Sequence, residues 1–189
     1  MAMKPGERRL QILQTLASML EHPRNEKVTT ASLASRLEVS EAALYRHFAS
    51  KAQMFEGLIE FIESTLFSLV NKIDAETQDG AAQAEQTVVM LLSFAERNPG
   101  MTRVLIGDAL VHEDDRLQAR INQLTDKLEA ALRQSLRIAQ AANAWHGDPG
   151  ADSAVLIAYV VGRWQLYAKS GFKRGPQENW DQQRKFLFG

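Results

Sequence analysis

Residues 29–51 decide the fold, and they read TTASLASRLEVSEAALYRHFASK. The pattern predicts two short helices joined by a tight turn. Thr30 is expected to cap the first helix and Ser40 the second, because a hydroxyl there accepts hydrogen bonds from amides that the first turn leaves free. The first helix has apolar residues spaced along one side, at Leu33, Ala34 and Leu37. The stretch is therefore predicted to be a helix-turn-helix.

The second helix of this stretch is predicted to have two different sides. Leu44 and Phe48 lie one turn apart and face the rest of a small three-helix unit. The opposite side carries small, aromatic and basic residues, namely Ala42, Ala43, Tyr45, Arg46 and His47. Small residues let the backbone approach base edges, and the longer side chains, followed by Lys51, can reach phosphates. This side favours a DNA major groove, and the alternative is a helical hairpin whose polar side is only solvated.

The charge distribution agrees with DNA binding. Residues 1–51 hold eight Lys or Arg and five Asp or Glu, an excess of three positive charges. The remaining residues hold fourteen bases and eighteen acids, so the net charge of the chain is −1. Phosphate attracts a local basic excess even when the whole protein is nearly neutral. The first part of the chain is therefore the predicted DNA-binding part.

The rest of the chain is also predicted to be helical, which makes the fold class all-α. Apolar stripes at helical spacing predict one helix before the motif and five after it, at residues 6–21, 50–73, 81–95, 101–111, 114–142 and 152–170. The run at 22–25, HPRN, should end the first helix. We expect a DNA-binding domain over residues 1–52 and a helical domain over residues 53–189. The last two strong helices are predicted to build a homodimer, and the tail after Gly175 has little to fix it.

Several function classes are disfavoured. The chain has no cysteine, so it has no disulfide or thiolate chemistry. No secretory signal or apolar run of about 20 residues is visible, which predicts a cytoplasmic protein without a membrane span. No nucleophile elbow or phosphate-binding glycine loop is present, so we expect neither an enzyme nor a cofactor. The run HEDD at 112–115 has metal-ligand residue types, but consecutive side chains point apart, and its acids suit the start of a helix.

The motif SEAALYRHF at 40–48, followed by Ser50 and Lys51, resembles the recognition-helix signature of the TetR family. The resemblance implies a TetR-like dimer, with a helix-turn-helix domain and a helical dimerisation domain, that binds palindromic double-stranded DNA. The DNA-binding positions that it implies are Thr29, Thr30, Ser40, Ala42, Ala43, Tyr45, Arg46, His47 and Lys51. The chain departs from the family at Glu38, where the turn usually has Gly, which costs about 1–2 kcal/mol if φ is positive there. Ala49 replaces a common Pro and is expected to loosen the start of the next helix.

Further segments resemble the nucleoid occlusion factors, a group within the TetR family. They are IEFIE at 59–63, AERNPGMTR at 95–103 and DRLQARINQL at 115–124. The resemblance implies a nucleoid-associated protein that, when bound to chromosomal sites, antagonises the ring assembly of the tubulin-like division protein FtsZ. The residues that it implies face FtsZ are Phe61, Arg97 and Asn98, although Asn98 also suits a turn before Pro-Gly and Arg97 a helix C-terminus. The alternative is a ligand-responsive TetR-type repressor.

Overall fold

The computed structural model describes residues 5–21 and 28–189, and in this part of the chain every regular element is helical. The helix end predicted at residues 22–25 lies outside the described residues. The helices are α1 Pro5–Leu20, α2 Thr30–Arg36, α3 Glu41–Tyr45, α4 Lys51–Glu76, α5 Gly80–Arg97, α6 Pro99–Leu105, α7 Asp115–Ala141, α8 Pro149–Lys169 and α9 Trp180–Leu187. A short 3₁₀ turn at Asp108–Leu110 follows α6. No described helix is both long and apolar enough to cross a membrane.

The contacts divide the chain into two compact units. Unit 1 contains Met1–Ile62 and Asn98–Ile121, and unit 2 contains Glu63–Arg97 and Asn122–Gly189. Helix α4 therefore starts in unit 1 and ends in unit 2. The boundary predicted after residue 52, between a DNA-binding domain and a helical domain, stays a prediction.

Unit 1 is a core built around the helix-turn-helix. Its apolar centre comes from residues that are at most 2% exposed, among them Ile12, Leu16, Leu33, Leu44, Phe48 and Phe55. Helix α6 packs on α1 at Gly100, where a Cβ atom would overlap the carbonyl oxygen of Ala17. Arg103 donates a hydrogen bond to the carbonyl oxygen of Leu20 at 3.2 Å. Because α1 supports the helix-turn-helix, α6 belongs to the scaffold that positions the predicted DNA-binding residues.

Unit 2 has a core in which α8 packs against α5. Trp164 on α8 is fully buried, and its indole N–H donates to the carbonyl oxygen of Leu91 at 3.1 Å. The hydroxyl of Tyr167 donates to the carbonyl oxygen of Glu96 at 3.0 Å. The start of α5 approaches α7 so closely that a Cβ atom on Gly80 would meet the backbone of Ser135. These contacts join the core helices of unit 2 through aromatic donors and one small residue.

Two predictions differ from the structure, namely the bounds of the helix at residues 101–111 and the lack of contacts in the tail after Gly175. The helix predicted at residues 101–111 starts earlier, at Pro99, and stops at Leu105, because Gly107 adopts a left-handed φ of 77°. The tail is ordered: Arg163, which is 9% exposed, donates to the carbonyl oxygens of Gly175, Pro176 and Glu178 at 2.8–2.9 Å. These bonds hold the segment that leads into α9, and sequence reasoning missed it because Arg163 lies in an apolar run.

Candidate nucleic-acid interface and partner surface

The turn between α2 and α3 closes with a Schellman motif. The amide of Glu38 donates to the carbonyl oxygen of Ser35 at 3.1 Å, and that of Val39 donates to Ala34 at 3.0 Å. Glu38 has a φ of 56°, which is the left-handed conformation that this motif requires and that usually calls for glycine. The turn is therefore left-handed at the position where the sequence departs from the family pattern.

Both helices of the motif are capped by side chains. Ser40 caps α3, as predicted, by accepting a hydrogen bond from the amide of Ala43 at 3.2 Å. The cap of α2 is Thr29, so the prediction of Thr30 is wrong by one residue. Thr29 has extended backbone angles, and it forms a capping box with Ser32. Thr30 is already helical, and its hydroxyl donates to the Glu41 carboxylate at 2.6 Å, which ties α2 to α3.

The burial pattern predicted for the second helix is confirmed, although α3 ends at Tyr45 and the residues from Arg46 to Phe48 follow it. Leu44 and Phe48 are 1% and 2% exposed and pack into unit 1. On the other side, Ala42, Tyr45 and Arg46 are exposed, while Ala43 and His47 are half-buried. We call the three exposed residues the recognition face. It presents one small residue, one aromatic hydroxyl and one guanidinium together, which is suitable chemistry for base edges and phosphates in a major groove.

Two basic residues of α1, Arg8 and Arg9, lie beside this surface. The Arg9 guanidinium lies 4.3 Å from the centre of the Phe48 ring, a cation–π contact that fixes it against the end of the motif. Arg8 donates to Gln11 at 2.8 Å. It also lines a small hollow beside α3 together with Arg46 and His47. Arg9 therefore contacts the end of the motif through Phe48, whereas Arg8 adds positive charge beside the recognition face.

Lys51 is the last predicted DNA-binding residue, and it begins α4. Ser50 caps this helix by accepting from the amide of Gln53 at 3.2 Å. The amide of Ala49 donates to the Gln53 side chain at 2.9 Å, a bond that Pro would lack. This bond anchors the start of α4, contrary to the loosening expected of Ala49. The ammonium of Lys51 forms an ion pair with Glu113, which lies 62 residues further along the chain.

Two of the three predicted partner-binding residues meet in unit 1. Phe61 and Asn98 line the same surface hollow, which has a volume of about 260 Å³. Its wall includes Gln14 and Ser18 on α1, and Glu21 directly after that helix. The predicted partner surface of unit 1 therefore includes side chains of α1, the helix that supports the DNA-binding motif. Arg97, the third residue, is the exposed last residue of α5 and belongs to unit 2.

Unit 2 has a larger surface groove between α4 and α5, with a volume of about 560 Å³. Its apolar lining includes Leu69, Ile73, Val89 and Met90. A ligand-responsive repressor would need a small-molecule site in this unit, and this groove is where such a ligand is to be sought. Among residues 5–21 and 28–189, no three His, Cys, Asp or Glu side chains are grouped to hold a metal ion.

Family matches cover both parts of the chain. Residues 25–58 match the TetR family of bacterial regulatory proteins, and residues 78–189 match the SlmA-like family of tetracyclin repressor-like C-terminal domains. The fatty acid degradation regulator FadR from Bacillus halodurans has a similar structure, with a TM-score of 0.81, 14% identity and coverage of 99% of this chain and 97% of that one. The regulator PfmR from Thermus thermophilus has a TM-score of 0.77 at 19% identity, covering 94% and 97%. The chain is a helix-turn-helix protein with the TetR fold.

Curated relatives narrow this class to one family. The nucleoid occlusion factor SlmA of Alteromonas mediterranea is 48% identical over 184 residues, which cover 96% of this chain and 94% of that protein. SlmA of a Marinomonas species is 47% identical over 185 residues, covering 97% and 94%. The chain therefore belongs to the SlmA family of nucleoid occlusion factors. Because these relatives are regulators, the family confirms the predictions of an all-α TetR-like fold and of a protein that is not an enzyme.

Proposed function

We propose that this protein is a nucleoid-associated, cytoplasmic occlusion factor that binds palindromic chromosomal sites as a homodimer and, while bound, antagonises FtsZ ring assembly. The observation that carries the proposal is the recognition face, Ala42, Tyr45 and Arg46, standing exposed on a capped helix whose other side is buried. A near-neutral protein with a local basic excess binds DNA through this part without a general affinity for polyanions.

Helix α8 supports the homodimer in this proposal. Val155 and Leu166 on α8 are 57% and 41% exposed, and the small residues Ala158 and Gly162 lie between them on the same side, beside the half-buried Tyr159. An apolar helix face with small residues allows a second helix to approach closely. Two-fold symmetry would present two recognition faces to two half-sites, which is why the expected DNA site is a palindrome.

The FtsZ contact in this proposal uses Phe61 and Asn98 in unit 1 and Arg97 in unit 2. The hollow that Phe61 and Asn98 share is lined by the apolar side chain of Met101 and by amide, hydroxyl and carboxylate groups of Gln14, Ser18 and Glu21. Such a mixture suits a short peptide segment, because apolar contacts give affinity and polar groups fix orientation. The α1 wall of the hollow gives a route by which DNA binding and FtsZ binding are linked.

The first test is a map of bound sites over the chromosome of the source organism. Nucleoid occlusion requires many scattered palindromic sites that are sparse near the replication terminus. One cluster of sites beside a single operon would instead identify a ligand-responsive repressor. The same map in an Arg46→Ala strain should lose the sites, because this change removes the guanidinium of the recognition face.

The FtsZ part is tested with purified protein, a DNA duplex from a mapped site and FtsZ polymerisation followed by light scattering. Arg97→Asp should leave DNA affinity unchanged and remove the antagonism of FtsZ. Lys173→Asp is the matched control, since it reverses an exposed charge elsewhere in unit 2. If Arg97→Asp antagonised FtsZ as well as the control did, Arg97 would not belong to the partner surface. Loss of both activities would indicate a folding defect.

A further inference from the structure

Lys51 is held in a defined position at the edge of the DNA-binding motif. It is the first residue of α4, directly after the cap Ser50. Its ammonium lies 5.6 Å from the centre of the Phe55 ring, which is itself buried. Its side chain is 30% exposed, so the charge is accessible from one side. Lys51 can therefore meet a phosphate without leaving its place in unit 1.

Glu113 is equally well fixed, and it faces Lys51 from the segment between α6 and α7. The amide of Glu113 donates to the carbonyl oxygen of Leu110 at 2.9 Å, and Leu110 is 4% exposed. The Glu113 side chain is only 15% exposed and forms an ion pair with Lys51. A half-buried pair is screened by water and salt much less than an exposed one.

The neighbouring Asp114 is engaged elsewhere, and Asp115 lies in the first turn of α7, so Glu113 is the acid of this segment that pairs with Lys51. Asp114 pairs with Arg116 at 3.2 Å, and Arg116 also pairs with Glu56 at 3.1 Å. Asp114 also accepts a hydrogen bond from the amide of Arg116 at 3.1 Å, at the start of α7. The acids of the run HEDD at 112–115 thus have separate roles. Asp114 lies at the start of α7, and Glu113 pairs with Lys51 of the proposed DNA-binding surface.

We propose that Glu113 sets the DNA affinity of this protein by neutralising Lys51. The inference rests on the proposed function, in which Lys51 contacts a DNA phosphate. A carboxylate paired with the ammonium already compensates the positive charge with which a phosphate would otherwise pair, so less counterion is released on binding. The protein therefore binds its sites more weakly, and with less salt dependence, than the positive charge of the surface alone would allow. A protein that must occupy many scattered sites and leave them again benefits from such a limit.

The test is a double-mutant cycle on Lys51 and Glu113, measured by fluorescence anisotropy with a duplex carrying a mapped site at several salt concentrations. Glu113→Gln should tighten binding about fivefold for each half-site, because it removes the nearby negative charge and keeps the side-chain shape. It should also steepen the dependence of log affinity on log salt concentration by about one unit for each half-site. In a Lys51→Ala background the same substitution should change neither quantity.

The matched control is Asp108→Asn. Asp108 belongs to unit 1 as Glu113 does, but it accepts from Arg103 at 2.6 Å and not from a predicted DNA contact. The substitution Asp108→Asn removes one negative charge from the same unit as Glu113→Gln does. It should therefore change DNA affinity by less than about twofold. Circular dichroism and melting temperature check that each variant folds. Glu113→Ala is a second variant with the same expected direction.

The outcomes separate the inference from the proposed function. If Lys51→Ala weakens DNA binding but Glu113→Gln behaves like Asp108→Asn, the inference is wrong and the proposed DNA surface stands. Weaker binding by Glu113→Gln would mean that Glu113 orients Lys51, which also overturns the inference. A gain that persists in the Lys51→Ala background would show that Glu113 acts on another group. If Lys51→Ala has no effect, Lys51 is not a DNA contact. The proposed contact of Lys51 with DNA and the inference about Glu113 are then both wrong.

Discussion

Replacing Glu38 by glycine should stabilise the protein. Glu38 ends α2 with a φ of 56°, and two backbone hydrogen bonds of the Schellman motif require that conformation. The side chain of Glu38 is exposed, so glycine removes the Cβ strain without opening a cavity. The change acts at the turn that sets the angle between α2 and α3.

The size of the effect follows from two opposing terms. A non-glycine residue in the left-handed region costs about 1–2 kcal/mol. Glycine offsets about 0.5–1 kcal/mol of this gain, because it increases the conformational entropy of the unfolded chain. The free energy of unfolding should therefore rise by about 0.5–1 kcal/mol, which for a chain of this length raises the melting temperature by about 1–4 °C.

The assay is urea and thermal unfolding followed by circular dichroism at one fixed protomer concentration. Glu38→Gln is the control for charge, since it keeps the Cβ atom and should give no gain from backbone strain. Asn143→Gly is the control for position: Asn143 also has a φ of 56°, but asparagine tolerates this region better, so its gain should be smaller. If Glu38→Gly were no more stable than Glu38→Gln, the strain at the turn would be too small to matter.

Three further predictions concern packing, the tail and one carboxyl group. Gly100→Ala should lower the free energy of unfolding by about 2 kcal/mol or more in urea titrations, because the added Cβ overlaps a carbonyl of α1; Gly6→Ala, which has open space around it, should not. Deleting residues 175–189 should lower the melting temperature, because the buried guanidinium of Arg163 loses three carbonyl acceptors. Arg163→Met in the shortened chain should recover part of the lost stability. No recovery would argue that the unpaired guanidinium is not the cause of the loss. Partial burial raises the pKa of the Asp74 carboxyl, although the residue as a whole is exposed, so the folded state binds this proton slightly more tightly and ionisation destabilises it slightly as pH rises. Asp74→Asn should therefore raise the urea midpoint at pH 7 and leave it unchanged at pH 3, whereas an equal change at both pH values would exclude the ionisation of Asp74 as the cause.

Several local features of this protein could be read from neighbouring residues. The caps at Ser40 and Ser50 were predictable because a hydroxyl before an apolar run satisfies amides within three residues. The burial of Leu44 and Phe48 opposite Tyr45 and Arg46 follows from helical spacing alone. The resemblance indicated a cost at Glu38 only if its φ is positive, and the structure shows a φ of 56°. The same local reasoning misplaced the cap of α2 by one residue, because Thr29 and Thr30 have the same side chain and differ only in backbone conformation.

Residue types at short spacing thus predict most of the helices, the helix-turn-helix motif and the family, but not the end of α6 or the helix α9. The tertiary structure alone decided which distant side chains meet. It paired Lys51 with Glu113, placed Phe61 and Asn98 in one hollow with α1, and turned Arg163 from an apolar run toward the tail. The physical reason is that a period of 3.6 residues fixes which face of a helix is buried but not which helix covers it. That choice is made by packing between helices, which depends on shape and volume over the whole core.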